Sequence, residues 1–179
     1  DGLFQSQEEI DAWPTQKFGE VKPGDIRYLD INGDGVVDDY DKKPIGFPDV
    51  PEISYGFGAS VRWKGFDVSI FFQGIDNVNF FINNSYTQPF IANKTRHSNV
   101  FADLYGNYWT EDNRDAKYPR LTIGSNTNNN QASTFWMVDG RYIRLKNAEI
   151  GYTLPKRITN RAHIDRLRIY VSGVNLLTF

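Results

Sequence analysis

From residue 53 to residue 63 apolar and polar side chains alternate without a break. Tyr55, Phe57, Ala59, Val61 and Trp63 fall on every second position, with Ser54, Gly56, Gly58, Ser60 and Arg62 between them. A period of two puts each set on one face of a β-strand. After Lys64 and Gly65 the alternation restarts with its phase reset: Phe66, Val68, Ile70 and Phe72 are apolar, and Asp67, Ser69 and Gln73 are polar. Two such runs joined by two residues predict a hairpin over 53–74. Its strands are about eleven and eight or nine residues long, above the five or six usual in soluble sheets and close to the roughly 9–11 of a tilted membrane strand. The apolar face is dominated by aromatic rings, with Tyr55 and Phe57 near one end and Trp63 and Phe66 about the turn, where a membrane barrel carries its girdles. The opposite face of Gly, Ser, Arg, Asp and Gln suits a wet lumen. An amphipathic hairpin of a soluble β-protein is the other reading of the same pattern.

Elsewhere the pattern is less regular. Ser6 followed by Glu9 has the form of a capping box, and predicts a short helix over 7–13 ended by Pro14. Residues 44–51 are a proline-rich approach to the first strand. Beyond Gly74 the period is lost for about sixty residues, a length that marks a functional loop or an extracellular loop of a membrane barrel. Residues 141–153 read as a strand of mixed alternation, and 167–177 alternate again. Arg157, Arg161, Arg166 and Arg168 crowd the connection, either as a basic patch or as a solvated turn with some barrel-facing arginines. Connections of two, about sixty and about thirteen residues follow the short-turn, long-loop habit of outer-membrane barrels. With the Lys64 and Gly65 turn in the periplasm, the long insert and Phe179 fall outside the cell. The chain thus divides into an extracellular loop over 17–52, a hairpin over 53–74, a long extracellular loop over 75–135 and strands over 136–179.

The sharpest local motif precedes the hairpin. Counted from Asp30, oxygen-bearing side chains stand at positions 1, 3, 5, 9 and 12, as Asp30, Asn32, Asp34, Asp38 and Asp41. Gly35 holds position 6, where the backbone must turn, and Val36 at position 7 offers its carbonyl. Hard cations take six to eight oxygens, and this spacing wraps them about one point. The expectation is a structural calcium loop outside an EF-hand helix pair, since position 12 is Asp rather than Glu and no helical pattern flanks it. An Asx-rich solvated turn is the plainer reading.

Composition narrows the function classes. The 179 residues carry a formal net charge of -2, which as a whole leaves no footprint for nucleic acid or an anionic membrane surface. There is no cysteine, hence no disulfide, thiol nucleophile or thiolate metal site. No apolar run approaches the roughly 18 residues of a membrane helix, so a membrane form must be built from strands. The start at Asp1 reads as an internal segment. His97 and His163 lack carboxylates at metal or triad spacing, and no phosphate-cradling glycine loop occurs, so no enzyme is expected. Loop aromatics Tyr86, Phe90, Phe101, Tyr105, Tyr108 and Trp109 either face a ligand or pack the loop on itself. The tract 128–131 is polar without evident chemistry, and Asn83 and Asn93 open glycosylation triplets.

A series of phrases then resembles the SusC/RagA-like TonB-dependent outer-membrane transporters. They are residues 2–10 (GLFQSQEEI), 23–28 (PGDIRY), the acidic loop, 64–68 (KGFDV), 71–74 (FFQG), 108–110 (YWT), 118–121 (YPRL), 144–147 (RLKN), 151–155 (GYTLP) and 170–176 (YVSGVNL). The resemblance runs in order along nearly the whole chain. It implies an all-β fold: antiparallel strands from the C-terminal part of a transmembrane outer-membrane β-barrel, with long extracellular loops and a short N-terminal helix, stopping before the family's final strand. It also implies import of glycan or peptide fragments in a Gram-negative bacterium, a SusD-like surface lipoprotein as partner and energy from the TonB complex acting on a plug outside these residues. The metal role falls on Asp30, Asn32, Asp34, Val36, Asp38 and Asp41. Substrate residues stay unassigned beyond Tyr86, Tyr105, Tyr108 and Trp109 as loop candidates. A soluble calcium-binding β-module for carbohydrate binding or adhesion is the alternative.

Overall fold

Chain contacts divide the computed structural model into two units, residues 1–46 with 81–138 and residues 47–80 with 139–179. The described residues are 2–83, 87, 90 and 100–179. In chain order the elements are α1 (Gln7–Asp11), β1 (Thr15–Gln16), β2 (Val36–Val37), β3 (Ile53–Trp63), β4 (Phe66–Asp76), β5 (Asn79–Phe81), β6 (Met137–Asp139), β7 (Tyr142–Thr153), α2 (Lys156–Thr159) and β8 (Arg168–Thr178). No described helix is long and apolar enough to cross a membrane, which says nothing of strands.

The unit of residues 1–46 and 81–138 is mostly loop. Ser6 caps α1 by accepting from Glu9 N at 3.3 Å, and β1 pairs in parallel with β2. Its core gathers Leu3, Ile26, Leu104, Trp109, Tyr118 and Trp136 from segments far apart in sequence. Full burial of Ile26 and Leu104 contributes roughly 1.5–3 kcal/mol each. Backbone bonds lace the segments together: Phe4 N donates to Asp25 O at 2.9 Å, Arg120 N to Gly24 O at 2.9 Å and Trp109 N to Tyr118 O at 2.9 Å. Gly24 has φ 87, and a Cβ there would come 2.3 Å from the Trp109 ring, so both the turn and the packing require glycine.

The unit of residues 47–80 and 139–179 is an antiparallel meander in the order β3-β4-β7-β8. Lys64 (φ 47) and Gly65 (φ 92) turn β3 into β4, the pair of positive φ values that a tight hairpin of matching twist demands. The second strand is longer than its alternation suggested, ending at Asp76 rather than near Gln73. Its pairing with β3 is continuous to Asp76, but Gly74 adds no side chain to the apolar set, and Ile75 and Asp76 reverse the order of apolar and polar positions. The extra residue in its pairing with β7 is Lys146, on β7. Beside it, β7 skips Lys146 in its pairing with β8, where Asn175 adopts φ 55. The connection read as a basic patch or a solvated turn holds α2, which begins after Pro155. Strands of 11 residues span about 36 Å, or about 25 Å when tilted near 45°, the height of a membrane-barrel apolar band. Four strands do not close, and the described sheet is open rather than a barrel.

Register sorts the two faces. One bears the rows Trp63–Phe66–Tyr152–Ile169 and Val61–Val68–Ile150–Val171; the other bears Arg62–Asp67–Gly151–Tyr170 and Ser60–Ser69–Glu149–Ser172. On the polar face Arg168 reaches back across β7 to pair with Asp67 of β4 and Glu149 of β7. It passes over Gly151, where a Cβ would lie 2.5 Å from the guanidinium Nη2. The missing side chain of Gly151 is the gap that lets one arginine span three strands.

Candidate functional site

The acidic loop is turned by Gly33 (φ 79) and Gly35 (φ 85), values that L side chains rarely adopt. Asp30 accepts Gly33 N on Oδ1 at 2.6 Å and Gly35 N on Oδ2 at 2.8 Å. Asn32 Oδ1 accepts from Asp34 N at 2.9 Å, and Asp34 Oδ1 accepts from Val36 N at 2.9 Å, so each side chain folds the chain onto the next turn. Asp38 Oδ1 takes Tyr40 N at 3.0 Å. Asp41 is the most committed, with Oδ1 accepting Ile31 N at 2.8 Å and Asn32 N at 3.2 Å, and Oδ2 accepting Asp38 N at 2.8 Å. The Asp38 N–H, with those of Ile31 and Asn32, holds the Asp41 carboxyl below its ordinary pKa against the opposing effect of burial. Asp41 thereby staples the two ends of the loop.

The donor set has the chemistry for a hard cation. A carboxylate oxygen holding one N–H keeps a free lone pair, which applies to both oxygens of Asp30 and Asp34. Convergence is less complete, since among the described residues no group of three or more His, Cys, Asp or Glu side chains is gathered to hold a metal. The loop is a preformed turn that retains coordinating capacity. Beside it opens a cleft of about 490 Å³ lined by Phe18, Tyr28, Ile31, Val37, Lys42 and Phe81. Tyr28 donates its hydroxyl to Asn128 O at 2.8 Å, and burial pushes its pKa well up, so the phenol stays neutral.

A second polar centre escaped the sequence reading. Asp25 is wholly buried and accepts from Lys22 N at 2.8 Å, Asn126 Nδ2 at 2.9 Å, Asn129 Nδ2 at 2.8 Å and Arg120 Nη2 at 3.0 Å. Arg120 Nε stands 2.9 Å from its other oxygen, an ion pair in the interior. Asn129 Oδ1 accepts Ile26 N at 2.8 Å, Asn128 Nδ2 donates to Ile26 O at 2.9 Å, and the fully buried Trp136 donates Nε1 to Asn129 O at 2.7 Å. The tract 128–131, read as polar and without chemistry, is the structural centre of this unit. Burial of a carboxylate requires such paired donors.

The loop aromatics separate. Trp109 is 8% exposed and donates Nε1 to Gln5 Oε1 at 3.1 Å, so it belongs to the core and offers no ring face to a ligand. Tyr108 is half-buried, whereas Tyr105 is 79% exposed. Tyr86, His97 and the triplet positions 84–85 and 93–95 lie outside the described residues. Tyr118, which the sequence offered only as part of the 118–121 phrase, donates its hydroxyl to Asp103 at 2.6 Å and, with Lys117, holds that carboxyl below its ordinary pKa.

Comparison with known proteins places these features. No family model matches the chain. It is 34% identical over 161 residues to TonB-dependent receptor P3 of Formosa agariphila, covering 90% of this chain and 15% of that receptor. TonB-dependent receptor P26 of the same organism is 30% identical over 179 residues, covering 98% of this chain and 17% of that receptor. The chain therefore spans about one sixth of the length of these relatives. Among solved structures it is similar to the RagAB peptide importer in its 'closed-closed' state, with TM-score 0.59, 25% identity, 85% of this chain and 17% of that one. The 'open-open' state gives TM-score 0.54 and 28% identity over 74% of this chain and 14% of that one. These likenesses make the chain a segment of a TonB-dependent receptor, a class of outer-membrane proteins that are not enzymes. Within that class it belongs with the SusC/RagA-like members.

Proposed function

We propose that the chain forms wall and extracellular mouth in the C-terminal part of an outer-membrane import barrel. The cargo is peptide or oligosaccharide fragments, delivered with a SusD-like surface lipoprotein and driven by the TonB complex. The observation that carries this reading is the apolar face of the meander. Every residue of β3 is exposed, and Val61, Trp63, Ile150 and Val171 are 65%, 65%, 53% and 71% exposed in adjacent rows. A face of that size is costly in water and favourable against acyl chains. A soluble calcium-binding module would need to cover it. The polar face, with its Asp67–Arg168–Glu149 cluster, then turns to the lumen.

In the same reading the acidic loop binds calcium for structure. Asp30, Asn32, Asp34, the Val36 carbonyl, Asp38 and Asp41 would hold the ion, whose chemistry is to neutralise crowded carboxylates. Asp41 and the two glycines shape the turn beforehand. The functional test is purification of the tagged full-length receptor from its native outer membrane, with mass spectrometry of whatever accompanies it. A surface lipoprotein and bound peptide or glycan fragments are expected. A receptor that emerges alone, and whose deletion leaves uptake of both cargo classes unchanged, overturns the proposal.

A further inference from the structure

At the hairpin end of the sheet the apolar face finishes in a row of rings. Trp63, Phe66 and Tyr152 stand in register across β3, β4 and β7, with the Phe66 and Tyr152 centroids 4.5 Å apart. One residue beyond the row the chemistry reverses. Lys64 occupies the turn with Nζ 4.7 Å from the centroid of the Trp63 ring. The turn adjoins the 154–167 connection, because Thr153 N donates to Gly65 O at 2.7 Å and Leu154 N to Leu167 O at 2.9 Å. That connection carries Lys156, Arg157, Arg161 and Arg166 against a single carboxylate, Asp165. Lys64, Lys156, Arg157 and Arg161 are all exposed, and none has a carboxylate partner among the described residues. Ile158 is 54% exposed within the same basic segment.

We propose that this end of the sheet is a binding surface for the headgroups of anionic phospholipids in the adjoining, periplasmic leaflet. The inference rests on the barrel reading, which sets the apolar face in the bilayer and the short turn at the periplasmic side. Tryptophan and tyrosine rings settle at the depth of the ester groups, and cations just beyond them meet lipid phosphates. The unpaired ammonium and guanidinium groups are complementary to that charge, and Ile158 supplies an apolar foot among the upper acyl chains. A connection serving only as a solvated turn has no need of a charge excess next to a ring belt.

The test uses the full-length receptor, delipidated in detergent and titrated with phosphatidylglycerol, phosphatidylcholine or lipid A under native mass spectrometry. The variant replaces Lys156, Arg157 and Arg161 together by serine and leaves the strands untouched. Each charge removed is expected to weaken phosphatidylglycerol retention about fivefold, or about a hundredfold for all three, with little change for phosphatidylcholine. Equal retention of phosphatidylglycerol by both proteins overturns the proposal, as does a preference for the phosphates of lipid A that the same variant abolishes. Heat-dependent gel migration of each protein separates the two claims. With the heat shift intact and retention unchanged, only the lipid site falls; without the heat shift, the barrel reading falls too.

Discussion

Replacing Asp25 by alanine should open the loop-rich unit while leaving the sheet intact. The carboxylate is fully buried and is the shared acceptor for Arg120, Asn126, Asn129 and the Lys22 N–H. Breaking a buried ion pair costs about 3–5 kcal/mol, because the remaining charge is left without compensation. Arg120 is only three-quarters buried and turns partly to water, which sets the expectation near the lower end, about 3 kcal/mol. That corresponds to roughly 150-fold more frequent local opening. Hydrogen exchange of the full-length receptor in detergent reads it directly at the amides of Phe4, Ile26 and Arg120, whose acceptors are Asp25 O, Asn129 Oδ1 and Gly24 O. Amides in β3, β4, β7 and β8 should not change. The double variant Asp25→Ala with Arg120→Ala should be less costly than the sum of the singles, since neither charge is then stranded. A change below about fivefold at those three amides would refute the assignment of Asp25 as the centre of this unit.

Other expectations follow from single contacts. Chelation of calcium should raise protease cleavage within 30–41 of the full-length receptor, and Asp30→Ala should abolish that calcium dependence; cleavage indifferent to chelator contradicts the metal role. Asp103 has its pKa lowered by the Tyr118 hydroxyl first and by Lys117 second. Its contribution to stability is therefore complete above the ordinary carboxylate range and is lost as pH falls through the lowered folded-state value. Exchange at the Trp109 amide, followed against pH, should show this loss in the wild type and a smaller one in Tyr118→Phe, where Lys117 still faces the carboxylate. Gly151→Ala puts a Cβ where the Arg168 guanidinium lies and should push that flexible side chain off Asp67 and Glu149, lowering the receptor's thermal unfolding midpoint slightly, at a cost of about 1 kcal/mol. Arg168→Met added to Gly151→Ala should then cost little more, and full additivity would show that Gly151 is not the gap Arg168 crosses.

The sheet was legible because its information is local. The alternation of β3 and the start of β4 reads directly as two faces, and the Lys64 and Gly65 turn lies between them. Legibility failed where register departs from a strict period of two. Gly74, Ile75 and Asp76 break the apolar-polar order and concealed the last residues of β4, and neither the extra residue Lys146 of β7 nor the bulged backbone at Asn175 is visible in a pattern of apolar positions. The acidic loop was legible as a turn through its glycines and Asx residues. That Asp41 is occupied by three backbone N–H groups was not, since donors of that kind leave no mark in side-chain spacing. Asp25 was the largest omission. Its partners Arg120, Asn126 and Asn129 lie roughly a hundred residues away, so the residue reads alone as one acid in a Pro-Gly turn. Long-range pairing turned an apparently idle asparagine tract into the part of the molecule on which the buried charge depends. The same distance separates Asp67 from Arg168, and only strand register brings them together.

The central claim is that the apolar face of the β3-β4-β7-β8 meander belongs in a bilayer. Its most direct measurement is fractionation of cells expressing the full-length receptor, with the outer-membrane fraction run on a denaturing gel before and after boiling. The account predicts recovery in that fraction and a band whose migration changes on heating, as a closed barrel resists detergent until it is boiled. Recovery in the soluble fraction, with identical migration in both lanes, would contradict it.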